Sequence, residues 1–459
     1  MQKDKILLVV PDGVGIRNYL YSKVFDNVQN LVIFHNLGTE ILDYLKHYKN
    51  ITNNISIPDY KESIYEKYLR ELICLSRLYY NAKTVNNKTI LTNWVWNQKT
   101  FIKKIFYKWI EIQSRFYTSY DAILQLEIKY QKAIRKNFFY KDIVSLLLKE
   151  KPKSIICTHQ RGLKMATIFA AAHDLGIPTT TVIYSWDNLP KARLALRANK
   201  YLVWSDHMKK EMSIYYPEIH NDDIIVTGTP QFEFYQDKNN IIDKKFFFET
   251  YNLNENKKII CYSGDDITTC PDDPKYLEDI TEEISKAGLE NEYQILLRRC
   301  PTDISGRFED VRKKYPDLIK EVTPKWNFNT DSSWTTIYPT FDDVKLLVST
   351  VFYSDIVINL GSTMAIDFAI LKKPCVFINY DQTHKINKNW STKTIYEFQH
   401  FRSMPSKESV IWLNDKTEII DKLINYKLHE NQIAMQDWKR IVIADYSKSS
   451  ALINTALNI

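Results

Sequence analysis

The chain has 459 residues, of which 44% are hydrophobic and 25% charged, as in an ordinary folded protein. Because single cores rarely exceed roughly 250–300 residues, this length predicts two domains or one large domain with an insertion. The first apolar run is too short for a signal peptide, and no stretch offers the ~20 apolar residues of a membrane span. The six cysteines form no CxxC pair, so we expect reduced thiols and a cytoplasmic location.

The net charge of +7 is concentrated in residues 61–150, which hold 17 Lys and Arg against 8 Asp and Glu. Apolar and aromatic positions recur there at spacings of three and four, which predicts helices. The aromatic residues alternate with lysines: Trp94, Trp96, Phe101, Phe106, Tyr107 and Trp109 with Lys99, Lys103, Lys104 and Lys108. This pattern is found in helices that lie on an anionic membrane surface, but it more often indicates a helical insertion with an aromatic core. No nucleic-acid-binding motif is present, so nucleic acid is not an expected partner.

The chain opens with a predicted strand, Ile6–Val10, and the loop after it contains Asp12, Gly13 and Gly15. A helix is expected from about Ile16. Only two of the three glycines of a dinucleotide fingerprint are present, so we interpret the loop as a tight turn and not as an NAD site.

Strands and helices alternate regularly after residue 153, which predicts a parallel, doubly wound sheet. After Ile6–Val10, the predicted strands of the first domain are Leu31–His35, Ser154–Thr158, Thr179–Tyr184, Lys200–Trp204 and Ile224–Thr227. Ligands of such sheets bind beyond the carboxyl ends of the strands. Several polar or aromatic residues fall at that edge: Asp12, His159, Arg161, Trp186, Asp187 and Asn188.

A second α/β unit follows the polar segment 237–256. Its predicted strands are Lys258–Tyr262, Tyr293–Leu297, Ile356–Asn359 and Cys375–Asn379, and Trp390–Met404 is predicted as an aromatic loop. The domain limits are therefore expected at 1–236, with a helical insertion at about 60–150, and at 257–440. Residues 441–459 are expected to form a tail that crosses back to the first domain.

The most informative stretch is VINLGSTMAIDFAILKKPCVFINYD, residues 357–381. It predicts a buried strand, a Gly-Ser-Thr turn, a helix from Ser362 to about Leu371, and a second strand after Pro374. Ser362 or Thr363 is expected to cap the helix. A helix N-terminus beyond a strand suits a diphosphate, and Asp367 lies within reach of a ribose hydroxyl. An ordinary capped βαβ unit explains the same residues.

Two facing α/β domains fit group transfer from a nucleotide-activated donor. The second domain supplies the expected anion-binding groups: Ser263, Gly264, Arg298, Arg299, Gly361, Ser362 and Thr363. No Asp-x-Asp triplet occurs, so arginines and a helix dipole are expected to stabilise the leaving group without a metal or another cofactor. The first domain is expected to hold the acceptor and its general base, for which Asp187, His159 and Asp12 are the candidates, in that order.

Three passages resemble the two-Rossmann-domain (GT-B) glycosyltransferases, in particular bacterial surface-polysaccharide enzymes. They are SWDNL at 185–189 with YLVWSDHMKKE at 201–211 and VTGTPQF at 226–232; LLRRCP at 296–301; and GSTMAIDFAILKKPCVFINYD at 361–381. The resemblance spans residues 154–381, about half of the chain. It implies that the diphosphate and ribose of a nucleotide sugar contact Arg299, Ser362, Thr363 and Asp367.

The glycerol- and ribitol-phosphate transferases of teichoic acid synthesis have a similar last passage. Their usual Arg-x-His-Pro is here Arg298-Arg299-Cys300-Pro301, and the missing histidine favours sugar transfer. The sequence therefore predicts a metal-independent glycosyltransferase at the inner face of the cell membrane, which uses a nucleotide sugar and a glycan or lipid-linked acceptor. The alternatives are a CDP-glycerol or ribitol phosphotransferase, a sugar-nucleotide 2-epimerase of the same architecture, and a non-catalytic binding scaffold.

Overall fold

The computed structural model describes residues 5–37, 39–96, 100–328 and 337–458. Within these ranges the chain forms two parallel sheets, one of seven strands and one of six. The first sheet has the order β3-β2-β1-β4-β5-β6-β7 and the second β10-β9-β8-β13-β14-β15, while β11 and β12 form a short antiparallel pair. The predicted α/β class with two Rossmann-like parallel sheets is confirmed.

The strands of the first sheet are β1 (Ile6–Val10), β2 (Leu31–His35), β3 (Ile51–Ser56), β4 (Ser154–Cys157), β5 (Thr179–Val182), β6 (Lys200–Val203) and β7 (Ile224–Val226). Those that follow are β8 (Lys258–Ser263), β9 (Tyr293–Arg298), β10 (Ile319–Glu321), β11 (Trp326–Asn327), β12 (Tyr338–Pro339), β13 (Ile356–Asn359), β14 (Cys375–Ile378) and β15 (Ile411–Leu413). The central strands are buried on both faces, which is why they read as continuous apolar runs. We call the part of the chain built on the seven-stranded sheet the N-terminal lobe, and the part built on the six-stranded sheet the C-terminal lobe. The domain limits 1–236 and 257–440 stay predictions.

The helices of the N-terminal lobe are α1 (Gly13–Gly15), a π-helix (Ile16–Leu20), α2 (Thr39–Lys46), α3 (Ile64–Thr84), α4 (Phe101–Ser114), α5 (Tyr120–Ile134), α6 (Phe138–Glu150), α7 (Met165–Asp174) and α8 (Asp206–Tyr215). Those that follow are α9 (Lys244–Thr250), α10 (Asp273–Lys286), α11 (Glu309–Lys314), α12 (Phe341–Tyr353), α13 (Met364–Ile370), α14 (Thr392–Tyr396), α15 (Ile419–Asn425), α16 (Ile433–Ile443) and α17 (Ser449–Leu457).

Two local predictions are wrong. The aromatic segment Trp390–Met404 is not a loop throughout, because it contains α14 and a 3₁₀ helix at Gln399–Ser403. The helix expected from about Ile16 is a π-helix of five residues.

The insertion is helical as predicted, and its aromatic residues divide between two environments. Tyr107 is buried in a core shared by α3, α4 and α5, against which Trp94, Trp96 and Phe106 pack. The opposite face of α4 leaves large apolar side chains in solvent: Phe101, Ile102, Ile105, Trp109 and Ile112, each 48% to 80% exposed. Lys103, Lys104 and Lys108 of the same helix are also exposed, and Lys99 lies outside the described residues. One face of the segment therefore forms an aromatic core, and membrane contact of the opposite face stays a prediction.

The two lobes are in direct contact. Tyr21 donates to the Pro339 carbonyl at 2.9 Å, and the Phe341 amide donates to the Tyr44 hydroxyl at 2.9 Å. The insertion also contacts the C-terminal lobe, because Asn87 Nδ2 donates a hydrogen bond to the Glu397 carbonyl at 3.1 Å. The cleft between the sheets is thus closed on more than one side.

Helix α17 lies against the N-terminal lobe. Its Ile453 is 1% exposed and packs in the core under β1. Two polar contacts fix the helix, from Ser450 N to Glu233 Oε1 and from Lys200 Nζ to the Ala456 carbonyl, both at 2.7 Å. The chain therefore passes between the lobes twice. Ile459 lies outside the described residues.

Candidate active site

A cavity of about 270 Å³ lies between the lobes, where the carboxyl ends of both sheets meet. Seven of the eight residues predicted to hold the donor line it: Ser263, Gly264, Arg298, Arg299, Ser362, Thr363 and Asp367. The eighth, Gly361, lines a neighbouring cavity of about 700 Å³, which shares Ser362 and Thr363 with the first. We call the smaller space the donor cavity.

The Gly-Ser-Thr turn between β13 and α13 is held by both lobes. Gly361 has φ +72°, a left-handed conformation that glycine adopts without strain, and a Cβ there would approach the Phe401 ring to 2.8 Å. The Ser362 amide donates to Asn359 Oδ1 at 2.8 Å, and Thr363 Oγ1 accepts from Trp186 Nε1 at 3.3 Å. The helix begins at Met364, two residues later than predicted. The turn is therefore shaped in advance of any ligand.

Arg298 is fixed at one end and free at the other. Its Nη2 donates to both carboxylate oxygens of Asp343 at 3.1 Å. Its Nη1 is buried and has no hydrogen-bond partner among the described residues, and the side chain lines the donor cavity. A buried guanidinium nitrogen without a partner is costly, so this atom is suited to an anionic ligand.

Arg299 is engaged within the protein. Its Nε donates to Glu321 Oε1 at 2.6 Å and its Nη1 to the Asp303 carbonyl at 2.8 Å. The resemblance assigned the diphosphate contact to Arg299, but the structure leaves a free guanidinium nitrogen on its neighbour Arg298.

Asp367 receives a hydrogen bond from the opposite lobe. The Tyr235 hydroxyl donates to its Oδ1 at 2.8 Å. Burial raises the pKa of Asp367 to about 6, although Tyr235 and the nearby Arg17 and Arg298 act in the opposite direction. The predicted ribose contact of Asp367 stays a prediction, and the residue lines the donor cavity.

Asp12 and His159 form a pair at the edge of the N-terminal sheet. Asp12 caps α1, because its Oδ1 accepts from the amides of Val14 and Gly15 at 3.0 and 3.1 Å. Its Oδ2 lies 2.5 Å from His159 Nδ1. The imidazole stacks on Tyr184, which lines the donor cavity, and His159 Nε2 has no partner in the described part of the chain. A carboxylate on Nδ1 fixes the tautomer that leaves Nε2 free to accept a proton.

Asp187, the first candidate base, has both carboxylate oxygens occupied. Its Oδ1 accepts from Asn188 Nδ2 at 2.9 Å, and its Oδ2 is paired with the Lys191 ammonium. Burial raises the pKa of Asp187, but Lys191 and His400 outweigh burial and bring it below the ordinary value. A carboxylate stabilised in this way is a weak base, so the geometry favours His159.

Trp186 does not present a free face for a sugar. Its ring is 6% exposed and lies against three aromatic rings of the C-terminal lobe, those of His400, Phe401 and Trp438. Trp186 therefore serves as a packing contact between the lobes.

The sequence model of one protein family, CDP-Glycerol:Poly(glycerophosphate) glycerophosphotransferase, matches residues 170–437. This match covers more than half of the chain and includes the SWDNL passage and the Gly-Ser-Thr turn. The chain belongs to this glycerophosphotransferase family. No curated protein matches the whole sequence significantly.

Solved structures share the fold of this glycerophosphotransferase-family chain along its whole length. The UDP-GlcNAc 2-epimerase of Neisseria meningitidis bound to UDP-GlcNAc is 12% identical, with a TM-score of 0.52 and 99% of each chain covered. A glycosyltransferase from Rickettsia africae is 14% identical, with a TM-score of 0.52 and coverage of 100% of this chain and 98% of that one. At such identities the likeness establishes the GT-B fold and nothing finer.

Within the glycerophosphotransferase family, Cys300 is the departure noted from the sequence. Its Sγ lies 3.1 Å from Thr302 Oγ1, and burial raises the pKa of the thiol. A neutral thiol supplies no cation to a phosphate. Nothing at this position therefore replaces the charge of a protonated histidine.

Three residues of the site were missed by the sequence prediction. Arg17 and Tyr235 reach the donor cavity from the N-terminal lobe, and only the tertiary fold brings them there. Asp265 lies on the wall shared by both cavities, with a buried Oδ2 that has no partner among the described residues. Burial, together with Asp273, raises the pKa of Asp265 well above its ordinary value. Its place directly after β8 was the available signal.

Proposed function

We propose that this protein transfers a group from a nucleoside-diphosphate donor to a hydroxyl group of an acceptor. One observation carries the proposal: an arginine nitrogen on the cavity wall and a histidine nitrogen behind that wall come from opposite lobes, and neither has a hydrogen-bond partner among the described residues. Arg298 Nη1 lines the donor cavity, and His159 stacks on Tyr184 of the same cavity wall. The first suits the diphosphate, and the second suits the attacking hydroxyl.

In the proposed reaction, His159 Nε2 removes the proton of the acceptor hydroxyl while Asp12 stabilises the imidazolium that forms. The hydroxyl oxygen then attacks the electrophilic centre of the donor, and the bond to the nucleotide breaks. Arg298 stabilises the negative charge on the departing nucleotide through its Nη1. Because no Asp-x-Asp triplet occurs in the sequence, we propose that these groups act without a metal ion.

The family favours a polyol phosphate as the transferred group. In a donor such as CDP-glycerol, the acceptor oxygen attacks the β-phosphorus, and the nucleoside monophosphate leaves with the bridging oxygen. The match over residues 170–437 supports this choice. Sugar transfer is the second candidate, and Cys300 in place of the family histidine supports it. There the acceptor oxygen attacks the anomeric carbon, and a nucleoside diphosphate leaves.

The nucleotide product distinguishes the candidates. Purified protein is incubated in EDTA with CDP-glycerol, CDP-ribitol or a nucleotide sugar, with and without acceptor. Acceptor-dependent release of CMP supports polyol-phosphate transfer, and acceptor-dependent release of a nucleoside diphosphate supports sugar transfer. Loss of donor without any acceptor indicates an epimerase or hydrolase. No turnover and no nucleotide binding in any arm would refute the proposed function.

We further propose that the exposed apolar face of α4 rests on an anionic membrane, where a lipid-linked acceptor is presented. Phe101, Ile105 and Trp109 stand on this face, and Lys103, Lys104 and Lys108 supply positive charge beside it. None of the helices in the described ranges is long and apolar enough to cross a bilayer. Peripheral binding at the inner face of the cell membrane, and a cytoplasmic location, belong to this proposal.

A further inference from the structure

A third cavity, of about 370 Å³, lies in the N-terminal lobe between the insertion and two loops of the Rossmann part. It is bordered by α3, α5 and the segments 161–163 and 192–195. It shares no lining residue with the two cleft cavities. Four arginines and one carboxylate line it: Arg70, Arg77, Arg161, Arg193 and Glu127. We call it the arginine cavity.

Two of the arginines are neutralised by carboxylates. Arg70 donates Nε to Glu62 Oε1 and Nη1 to Glu71 Oε1, both at 2.7 Å. Arg77 donates Nε to Glu127 Oε1 at 2.9 Å. These ion pairs link α3 to its neighbours, and this structural role explains them without a ligand.

The other two arginines are not accounted for in this way. Arg193 donates Nη2 to Glu71 Oε2 at 3.0 Å, but its Nη1 is buried without a partner in the described chain. Arg161 makes no ion pair with any described residue, and its one hydrogen bond runs from Nη1 to Asn188 Oδ1 at 3.5 Å. Burial lowers the pKa of Arg161 below its ordinary value, and Asp187 only partly opposes this. Among the described residues, Arg161 thus lacks a counter-charge, and Arg193, although paired with Glu71, keeps one guanidinium nitrogen without a hydrogen-bond partner.

We propose that the arginine cavity binds a phosphate group of the acceptor through Arg161 and the free Nη1 of Arg193. Guanidinium groups pair with phosphate oxygens in a fixed fork, which an ammonium or an amide does not offer. The remaining wall is largely apolar, with Ile73, Leu163 and Leu194, so the ligand is a phosphate ester and not a free inorganic ion. The identification of the bound molecule as the acceptor rests on the proposed function, whereas the binding of a phosphate group does not.

The position of the cavity relative to the base supports this role. Arg161 follows His159 by two residues in the turn after β4. Its partner Asn188 also receives a hydrogen bond from Gln160 Nε2, at 3.2 Å. An acceptor phosphate held by Arg161 would therefore be bound to the same turn that carries the proposed general base, two residues further along the chain.

The test measures binding of glycerol 3-phosphate, with glycerol as the uncharged probe, to full-length protein saturated with CDP. CDP occupies the donor cavity and prevents the probe from binding at Arg298. We expect glycerol 3-phosphate to bind and glycerol not to bind. The double variant Arg161→Gln, Arg193→Gln is expected to weaken glycerol 3-phosphate ~10-fold or more, because charge-assisted hydrogen bonds are lost. Its affinity for CDP is expected to stay within threefold of wild type, which also shows that it folds.

Arg115→Gln removes an exposed arginine of the same insertion and is the matched control. Equal affinity of the double variant and wild type for glycerol 3-phosphate, or equal loss with Arg115→Gln, would overturn the proposal. Failure of CDP to bind the wild type would count against the proposed function. The dependence of glycerol 3-phosphate binding on Arg161 and Arg193 would still show whether the arginine cavity binds a phosphate group. Phosphatidylglycerol vesicles separate the sources: loss of vesicle binding in the double variant identifies a lipid headgroup, and unchanged vesicle binding a soluble phosphate ester.

Discussion

The Asp12–His159 pair makes His159 the residue on which turnover should depend most. We expect His159→Gln to lower the transfer rate by ~10²–10⁴-fold, because glutamine cannot accept the hydroxyl proton. Nucleotide affinity should change less than threefold. Asp187→Asn is the comparison. It should lower the transfer rate less than tenfold, because Lys191 already weakens Asp187 as a base. The reverse ranking in a steady-state assay would make Asp187 the base.

Substitution of Arg298 should weaken nucleotide binding, whereas substitution of its neighbour Arg299 should mainly lower stability. Arg298→Gln is expected to weaken nucleoside-diphosphate binding ~10-fold or more, because it removes the free Nη1. Arg299→Gln should mainly lower the melting temperature, since its contacts are to Glu321 and Asp303. Titration calorimetry and thermal unfolding of both variants separate the two roles. If Arg299→Gln proved the more harmful to binding, the assignment from the resemblance would stand instead.

Glu211 predicts a dependence of stability on pH. It is 5% exposed, both carboxylate oxygens lack a hydrogen bond among the described residues, and burial raises its pKa to about 8. Between pH 4.5 and 8 the unfolded chain has lost this proton while the folded chain keeps it, so stability falls as pH rises. Relative to Glu211→Gln, the wild type should lose about 2–4 kcal/mol across that window.

Thermal unfolding of wild type and Glu211→Gln at pH 5, 7 and 9 measures the effect, with the pH values chosen about the raised pKa. The exposed Glu408, changed to Gln, is the control and should give a difference that does not vary with pH. A constant difference for Glu211→Gln as well would mean that the buried carboxyl is paired.

At the site, the sequence predicted which loops line the cavity between the lobes, but not the state of each side chain. Residues after strands β8, β9 and β13 were predictable because parallel strands deliver their following loops to one edge. Whether Arg298 or Arg299 keeps a free nitrogen depends on Asp343 and Glu321, which are distant in the chain. The pairing of Asp12 with His159 likewise joins residues 147 positions apart.

At the level of elements, helix α4 carries the membrane prediction. Replacing Phe101, Ile105 and Trp109 together by serine is expected to abolish co-sedimentation with anionic vesicles and to leave nucleotide binding unchanged. All three side chains are more than half exposed, so little core packing is lost. Binding of the wild type should also fall as salt is raised.

The matched control replaces Phe116, an exposed aromatic residue just beyond α4, by serine. It removes one large apolar side chain and should leave vesicle binding nearly intact. Vesicle binding that survives the triple change would remove α4 from the membrane proposal.

Buried strands were the most predictable elements and polar edge strands the least. Strands such as β1 and β13 are apolar on both faces and are readable from composition alone. Strand β3, ITNNIS, was missed because it lies at the sheet edge and exposes most of its side chains. Its apolar residues are too few for a periodic signal, so only pairing with β2 reveals it.

At the scale of the whole molecule, the return of α17 to the N-terminal lobe predicts an unequal effect of two glycine substitutions. Gly228 and Gly176 have φ +71° and +67°, so alanine strains either position by about 1 kcal/mol. A Cβ at Gly228 would lie 2.3 Å from Ser449 Oγ, whereas nothing lies within 4 Å of one at Gly176. Gly228→Ala should therefore cost a further ~1–2 kcal/mol in denaturant unfolding. Equal losses would show that the two crossing segments are not held together.

The two crossings also restrict how the lobes move. Gly228 lies shortly before the chain leaves the N-terminal lobe, Ser449 begins the helix with which it returns, and the two residues lie in close contact. We expect connections held together at one place to favour rotation of the lobes about that place over their separation. The hydrogen bonds from Asn87 to Glu397 and from Arg402 to Val85 would then act as a latch. We therefore expect the insertion, which carries half of this latch, to limit how far the lobes open.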